Sequence, residues 1–297
     1  NPQQVYIGPW DHGARRDADP FHADDTPVYP TTDEQFAQLL EFIERYLKAG
    51  GEPIESSITY YTLGADRWTT TTAWPPEGFE GETWYLSGDG SLTTDAPTGD
   101  DGADDYVVDQ DVTTGRHNRW FTNNGGGGDV VYGDRRAMDE RLLTYTSAPF
   151  GEDREITGHS VITLFARSTH TDGLFIAYLE DVAPDGRVTY ITEGQLRGIM
   201  RQISDQPPLY RKPGPHHSQR RADALPLVPG EVAEISFELW ATSVLIRKGH
   251  RLRIAIAGAD ADTFARYPLD GGAPTITHER NARYPSRVIL PMSPAGR

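Results

Sequence analysis

Cysteine is absent from this chain, which removes disulfides, thiolate metal sites and a cysteine nucleophile together. That fits a reducing compartment, although cysteine-free secreted proteins exist, so cytoplasmic and secreted locations both stay open. Basic residues are scarce: 28 Lys and Arg stand against 44 Asp and Glu, a formal net charge of −16. Nucleic acid and anionic membrane are polyanions, so neither is expected as a partner. No apolar run approaches the ~18–20 residues that a membrane-spanning helix needs. A basic, apolar leader is missing as well, and Asn1 runs almost directly into a strand, so the chain reads as starting in mid-domain. The nucleophile-elbow pattern G-x-S-x-G does not occur. Gly158-His159-Ser160 comes nearest, but Ile162 replaces the second glycine.

What the sequence does contain is a loop-rich, strand-rich pattern, with 30 Gly and 22 Pro among 297 residues. Residues 4–8 read as a strand that stops at Gly8-Pro9 and delivers Trp10, Asp11 and His12 into a polar loop. A helix follows in TTDEQFAQLLEFIERYLKAGG. Thr31 with Glu34, or Thr32 with Gln35, supplies a capping box, and Phe36, Leu39, Leu40, Ile43 and Leu47 form one apolar stripe. Gly50-Gly51 is placed to close it. Beyond residue 51 come short runs rich in β-branched and aromatic residues: 58–63, 83–87, 105–109, 142–147, 160–168, 174–182, 187–194, 232–240, 251–258 and 287–291. About ten strands with no helical pattern between them predict an antiparallel sandwich or jelly roll. The fold expected is mainly β: a jelly-roll β-sandwich over 52–297, preceded over 1–51 by a strand, a polar loop and a helix.

Several polar clusters invite a site. Asp100, Asp101, Asp104 and Asp105 could gather around Ca²⁺, but the spacing and closing Glu of an EF-hand are missing, which favours a solvated acidic turn. His216-His217 sit among Arg211, Lys212, Arg220 and Arg221, which repel a cation, so an exposed basic loop is expected there. No metal site is assigned. His12 is different, because an imidazole at the carboxyl end of a strand stands where catalytic groups collect in α/β proteins, with a reference pKa near ~6.5 suited to proton relay. An ordinary loop histidine remains the alternative.

The chain resembles the CocE/NonD and X-Pro dipeptidyl-peptidase (S15) family of serine hydrolases. The likeness rests on Gly8-Pro9-Trp10-Asp11-His12-Gly13 after a strand, and on Tyr60-Tyr61-Thr62-Leu63-Gly64 running to Trp68 and then Trp74-Pro75-Pro76. It continues through Leu143-Thr144-Tyr145-Thr146-Ser147-Ala148-Pro149, and through Asp181-Val182-Ala183-Pro184-Asp185-Gly186 with Arg197. Leu239-Trp240-Ala241-Thr242-Ser243 and Gly249-His250-Arg251-Leu252-Arg253 complete it, so the motifs span nearly the whole chain in order.

The resemblance implies the end of an α/β-hydrolase domain joined to a jelly roll, and a Ser-His-Asp triad that cleaves esters or amides without a cofactor. Mapped by motif, His12 is the triad histidine, while the serine and aspartate belong to a hydrolase region preceding residue 1. On this reading the isolated chain is inactive and needs that region as its partner. Acyl esterase, α-amino-acid ester hydrolase or β-lactam acylase activity is expected ahead of X-Pro dipeptidyl-peptidase activity. Trp10, Trp120 and Phe121 are candidates for the wall of the substrate pocket. Asp11 suits loop capping better than the acid role, because adjacent side chains rarely aim at one another. The rival reading is a non-catalytic β-sandwich module for carbohydrate binding or scaffolding, which leaves the strand–Gly-Pro-Trp-Asp-His preface unexplained.

Overall fold

The structure is a computed structural model that describes residues 2–295 apart from 24, 49–53, 127, 211 and 270. The helix-closing Gly50-Gly51 and the basic-loop Arg211 lie outside the described residues. The chain is mainly β, as the alternation in its sequence predicts.

Strand β1 (Gln4–Ile7) leads through the Pro-rich loop to helix α1 (Thr32–Leu47), and then to β2 (Ser57–Thr62) and β3 (Arg67–Thr71). These strands form one small sheet in that order, β1 parallel to β2 and β2 antiparallel to β3. A parallel pair joined through a helix is the βαβ unit of α/β proteins. Its hydrogen-bonded ladder joins segments from either side of residue 51. α1 begins with the predicted box: the Thr31 side chain accepts from the Glu34 N–H, and the Glu34 carboxylate accepts from the Thr31 N–H at 2.7 Å. Its apolar stripe, however, buries nothing. Phe36 is 59% exposed, Leu40 58% and Leu47 80%. An amphipathic helix draws most of its stability from a covered apolar face, so no described residue supplies what this stripe is shaped to meet.

The larger sheet contains thirteen strands. They are β4 (Glu80–Ser87), β5 (Ser91–Thr93), β6 (Ala103–Val107), β7 (Leu143–Ser147), β8 (Arg154–Gly158), β9 (Val161–Ser168), β10 (Leu174–Val182), β11 (Val188–Arg197), β12 (Ala233–Glu238), β13 (Thr242–Ile246), β14 (Arg251–Ala257), β15 (Thr275–Glu279) and β16 (Arg287–Met292). Pairing follows β11-β10-β14-β7-β5-β4-β16-β9-β15-β6, with β12 on β9 and β8 between β13 and β16. One apolar core gathers side chains from both halves of this path, including Ile176 and Ile254 from one and Leu164 and Val288 from the other. The acidic stretch near residue 100 is only partly a solvated turn. Asp104 lies in β6, where it accepts from Arg280 Nε and Tyr145 Oη, both at 2.7 Å.

All nine residues of β10 are buried, including Glu180 and Asp181. Buried carboxylates need partners. Arg135 Nε donates to Glu180 Oε1 at 3.1 Å with both side chains buried, and its guanidinium lies 4.6 Å from the Tyr178 ring centroid. Arg253 pairs with Asp139 at 2.7 Å beside them, and His250 Nδ1 meets Asp181 Oδ2 at 2.8 Å.

Close backbone approach explains one glycine. A Cβ on Gly194 would stand 2.4 Å from the Glu238 carbonyl oxygen and 2.9 Å from Leu239 Cα. Its absence lets β11 lie against residues 238–240, where the Trp240 N–H donates to the Glu193 carbonyl at 2.8 Å. Gly194→Ala is expected to cost about 1–3 kcal/mol by overpacking, read as a lower urea midpoint with an unchanged slope. An unchanged midpoint would mean that the 238–240 backbone gives way freely.

Candidate active site

The His12 loop is built by its own short-range hydrogen bonds. Trp10 and Asp17 form an antiparallel bridge, the Asp11 N–H donates to the Arg16 carbonyl at 3.1 Å, and the Ala18 N–H donates to that of Pro9 at 2.7 Å. Asp11 turns its carboxylate back into the loop, where Oδ1 accepts from the Arg15 N–H at 2.9 Å. It caps the loop, and nothing about it suggests a triad acid. Trp10 packs tilted on Trp68 with centroids 5.5 Å apart, and its indole N–H donates to the Tyr29 carbonyl at 3.1 Å. Gly8 is required beside it, since a Cβ there would sit 2.4 Å from the indole. From α1, Gln35 Nε2 donates to the Ala14 carbonyl at 3.0 Å, and Arg16 reaches Asp129 at 2.9 Å. His12 stands exposed at the tip of this braced loop, and among the described residues no group hydrogen-bonds to it.

His12 lies at the mouth of a cavity of about 410 Å³. Trp10, Trp120, Trp240, Tyr190 and Arg119 line it as well. Three of the four residues singled out from the sequence therefore meet in one cavity. The fourth, Phe121, is not among its lining residues; the Arg116 guanidinium lies 5.7 Å from its ring centroid instead. Trp120 and Phe121 are consecutive in a short helical turn capped by Asn118, whose Oδ1 accepts from the Phe121 N–H at 2.7 Å. Neighbours on a helix point about 100° apart, so only one of the two can face the cavity.

Much of this lining is aromatic and charged. Trp120 lies 5.5 Å from Trp240 between centroids, and its indole N–H donates to the buried Glu193 carboxylate. Burial pushes the Glu193 carboxyl up to about 7, against the opposing influence of Arg119 and the Trp120 hydrogen bond. Tyr132 stacks flat on Tyr190 at 3.8 Å between centroids, and Arg119 lies 5.8 Å from the Tyr190 ring. Burial works against the Arg119 charge, but Tyr190, Tyr132 and Glu193 outweigh it and raise its pKa. The cavity suits an apolar or aromatic group, and Arg119 gives its lining one cationic edge.

Arg119, Tyr132 and Tyr190 carry no local motif that distinguishes them in sequence. Trp240 lies within the Leu-Trp-Ala-Thr-Ser signature, which gave a signal but no role. The His216-His217 loop is half-buried and not freely exposed: the two ring nitrogens of His217 face the Gln202 and Ser236 carbonyls at 3.0 and 2.8 Å. Lys212 pairs with Glu238.

Residues 53–289 match the family described as the X-Pro dipeptidyl-peptidase C-terminal non-catalytic domain. The match starts after β1, the His12 loop and α1. A protein of Mycobacterium bovis named as a serine esterase is 47% identical over 97% of this chain and 45% of its own length. The cocaine esterase of a Rhodococcus species is 24% identical over 97% of this chain and 51% of its own. The crystal structure of an aminopeptidase from a marine sediment archaeon, Thaumarchaeota, superposes with a TM-score of 0.76 at 23% identity, covering 98% of this chain and 49% of that one. That last likeness is one of fold. The chain spans about half the length of the relatives it matches.

Proposed function

Because the chain belongs to the X-Pro dipeptidyl-peptidase C-terminal domain family, with relatives named as serine esterases, we propose that it is the C-terminal portion of a serine hydrolase that cleaves ester or amide bonds. Small-molecule esters are the favoured substrates, in keeping with the names of the M. bovis and Rhodococcus relatives. The observation that carries the reading is His12 at the mouth of the cavity that Trp10, Trp120 and Trp240 line.

In this reading a serine and an aspartate come from a hydrolase region preceding this chain. That region also covers the apolar stripe of α1 and continues the small sheet beyond β1. His12 takes the serine proton as the hydroxyl attacks the carbonyl, then returns it to the leaving alcohol or amine. Water next attacks the acyl-serine, giving up a proton to the same ring, which passes it to the departing serine oxygen as the acid is released. Trp10 and the Trp120–Trp240 wall hold the acyl group and exclude water, and Arg119 offers its charge to a polar edge of the substrate.

A serine-directed fluorophosphonate probe tests the division of labour. The full-length protein is expected to label at one serine upstream of this chain, and the 297-residue chain alone to stay unlabelled. Labelling of the isolated chain would move the nucleophile into it. Failure of the full-length protein to label would favour a non-catalytic β-sandwich. The X-Pro dipeptidyl-peptidase family match keeps a peptidase reading in view, and comparison of p-nitrophenyl esters with X-Pro p-nitroanilides on the unlabelled full-length protein separates the two.

A further inference from the structure

Behind the His12 loop, the same segment gathers one histidine among three aspartates. His22 directs Nδ1 at Asp17 Oδ1 and Nε2 at Asp66 Oδ1, each at 3.0 Å, while Asp19 Oδ2 lies 3.8 Å from that Nε2. Asp66 comes from the β2–β3 turn, where it adopts a left-handed backbone with φ of 50° and accepts from the Tyr61 hydroxyl at 2.9 Å. Asp19 is 5% exposed. The Phe21 N–H serves its Oδ1 at 2.9 Å, and the Gly64 backbone N–H also favours the charged carboxylate, but among the described residues Oδ2 has no partner in hydrogen-bond geometry.

A protonated His22 accounts for only part of this arrangement. Its two N–H groups go to Asp17 and Asp66, and imidazolium has no third to offer Asp19 Oδ2. One positive charge then faces three carboxylates. Arg247, which bears on Asp66 electrostatically, donates to the Gly64 carbonyl at 2.6 Å. A divalent cation satisfies all the acceptors at once. His22 Nε2, Asp19 Oδ2 and Asp66 Oδ1 all lie within 4.8 Å of one another. Tetrahedral ligands held at zinc distances are about 3.3 Å apart, and the observed 3.0 and 3.8 Å separations bracket that value. Asp17 accepts the Nδ1 proton, which fixes the tautomer that leaves the Nε2 lone pair for the ion. One imidazole nitrogen with two carboxylates suits zinc better than calcium or magnesium, which prefer all-oxygen shells.

We propose that Asp19, His22 and Asp66 form a zinc site, oriented by Asp17, that clamps the segment after the His12 loop to the β2–β3 turn. The outer two ligands, Asp19 and Asp66, lie 47 positions apart in sequence, so no local spacing announces the site. The site needs neither the upstream serine nor any hydrolase activity, so its failure and that of the hydrolase reading are separate.

The test is calorimetric titration of the chelator-treated chain with Zn²⁺ alone near neutral pH. Saturable binding of one ion with proton release is expected, accompanied by a higher unfolding temperature. Asp19→Asn and Asp66→Asn are each expected to weaken binding about tenfold or more, and a His216→Gln/His217→Gln double variant to leave it unchanged. The Asp66 side chain is 70% exposed, so Asp66→Asn decides the matter if Asp19→Asn does not fold. The proposal is overturned by lack of saturable binding, by full affinity in Asp66→Asn, or by loss of binding in the 216/217 double variant.

Discussion

His12→Ala in the full-length protein is expected to lower kcat for ester cleavage by about 10⁴- to 10⁶-fold, the range seen when a triad histidine is removed. KM should move far less, because the cavity wall formed by Trp10, Trp120 and Trp240 is untouched. The variant is well suited to a clean comparison. His12 is exposed and makes no hydrogen bond among the described residues, so its loss should leave the unfolding temperature of the chain within experimental scatter. A large rate loss with unchanged stability is the signature of a group that acts only on the reacting atoms. If the variant retains activity within about tenfold, an amount that positioning effects alone can produce, the base is another residue and the hydrolase reading loses its anchor.

The second large effect is on stability. Arg135→Ala removes the cation that faces Glu180 in the interior, and above the raised Glu180 value, at pH ~9 where that carboxylate is ionised, it is expected to destabilise the chain by about 3–5 kcal/mol, the cost of stranding a buried charge. Arg135→Met keeps the packing over Tyr178, so a smaller loss in that variant would separate volume from charge. The same cluster gives stability a pH dependence whose sign can be worked out. Burial, reinforced by neighbouring Asp139, pushes the Glu180 carboxyl up to about 8 despite Arg135, and Glu193 reaches about 7. In the unfolded chain both carboxyls ionise near their ordinary value of ~4.5. Between that value and the folded ones the native state holds protons that the unfolded state has released. Stability therefore falls as pH rises through this window, and it is fully present below it. Urea unfolding should give a higher midpoint at pH ~5.5 than at pH ~8. Glu180→Gln should flatten the dependence, and a midpoint that rises across the window would contradict the raised values.

Much of this architecture was legible in the sequence because local chemistry dictates it. Thr31 and Glu34 announce the start of α1 by their three-residue spacing, and the long strands β9, β10 and β14 declare themselves through β-branched density. Strands β3, β8, β13 and β15 did not. Each has five residues, and segments such as RWTTT, REITG and TITHE become strands through the partners they meet, which a local pattern does not encode. The domain-scale likeness was carried by motifs spread along the whole chain, and His12 by the Gly-Pro turn that precedes it. Trp120 was readable as an apolar residue in polar surroundings. Telling it from Phe121 was not possible, because the difference is which side of one helical turn faces the cavity. Arg119, Tyr132 and Tyr190 converge only through tertiary packing, and so does the grouping of Asp19 and His22 with Asp66.

Strand β2 stands in hydrogen-bonded register with β1, Ile7 opposite Tyr60. Three residues later, Leu63 is stitched to β13: its N–H donates to the Ser243 carbonyl at 2.9 Å, and its carbonyl accepts from the Leu245 N–H at 3.0 Å. One end of this segment thus fixes the strand that presents His12, and the other fixes the strand that follows Trp240. It works as a ruler between His12, the proposed proton-transfer group, and the aromatic wall. Its graduation is one residue, about 3.3 Å along the strand. On the proposed hydrolase reading, an insertion or deletion between Tyr60 and Leu63 would change the depth at which a substrate carbonyl sits beneath the imidazole, and it would also re-aim Tyr61, which lines the same cavity. Length variation in this one segment is therefore a route by which related enzymes could come to prefer acyl groups of different reach.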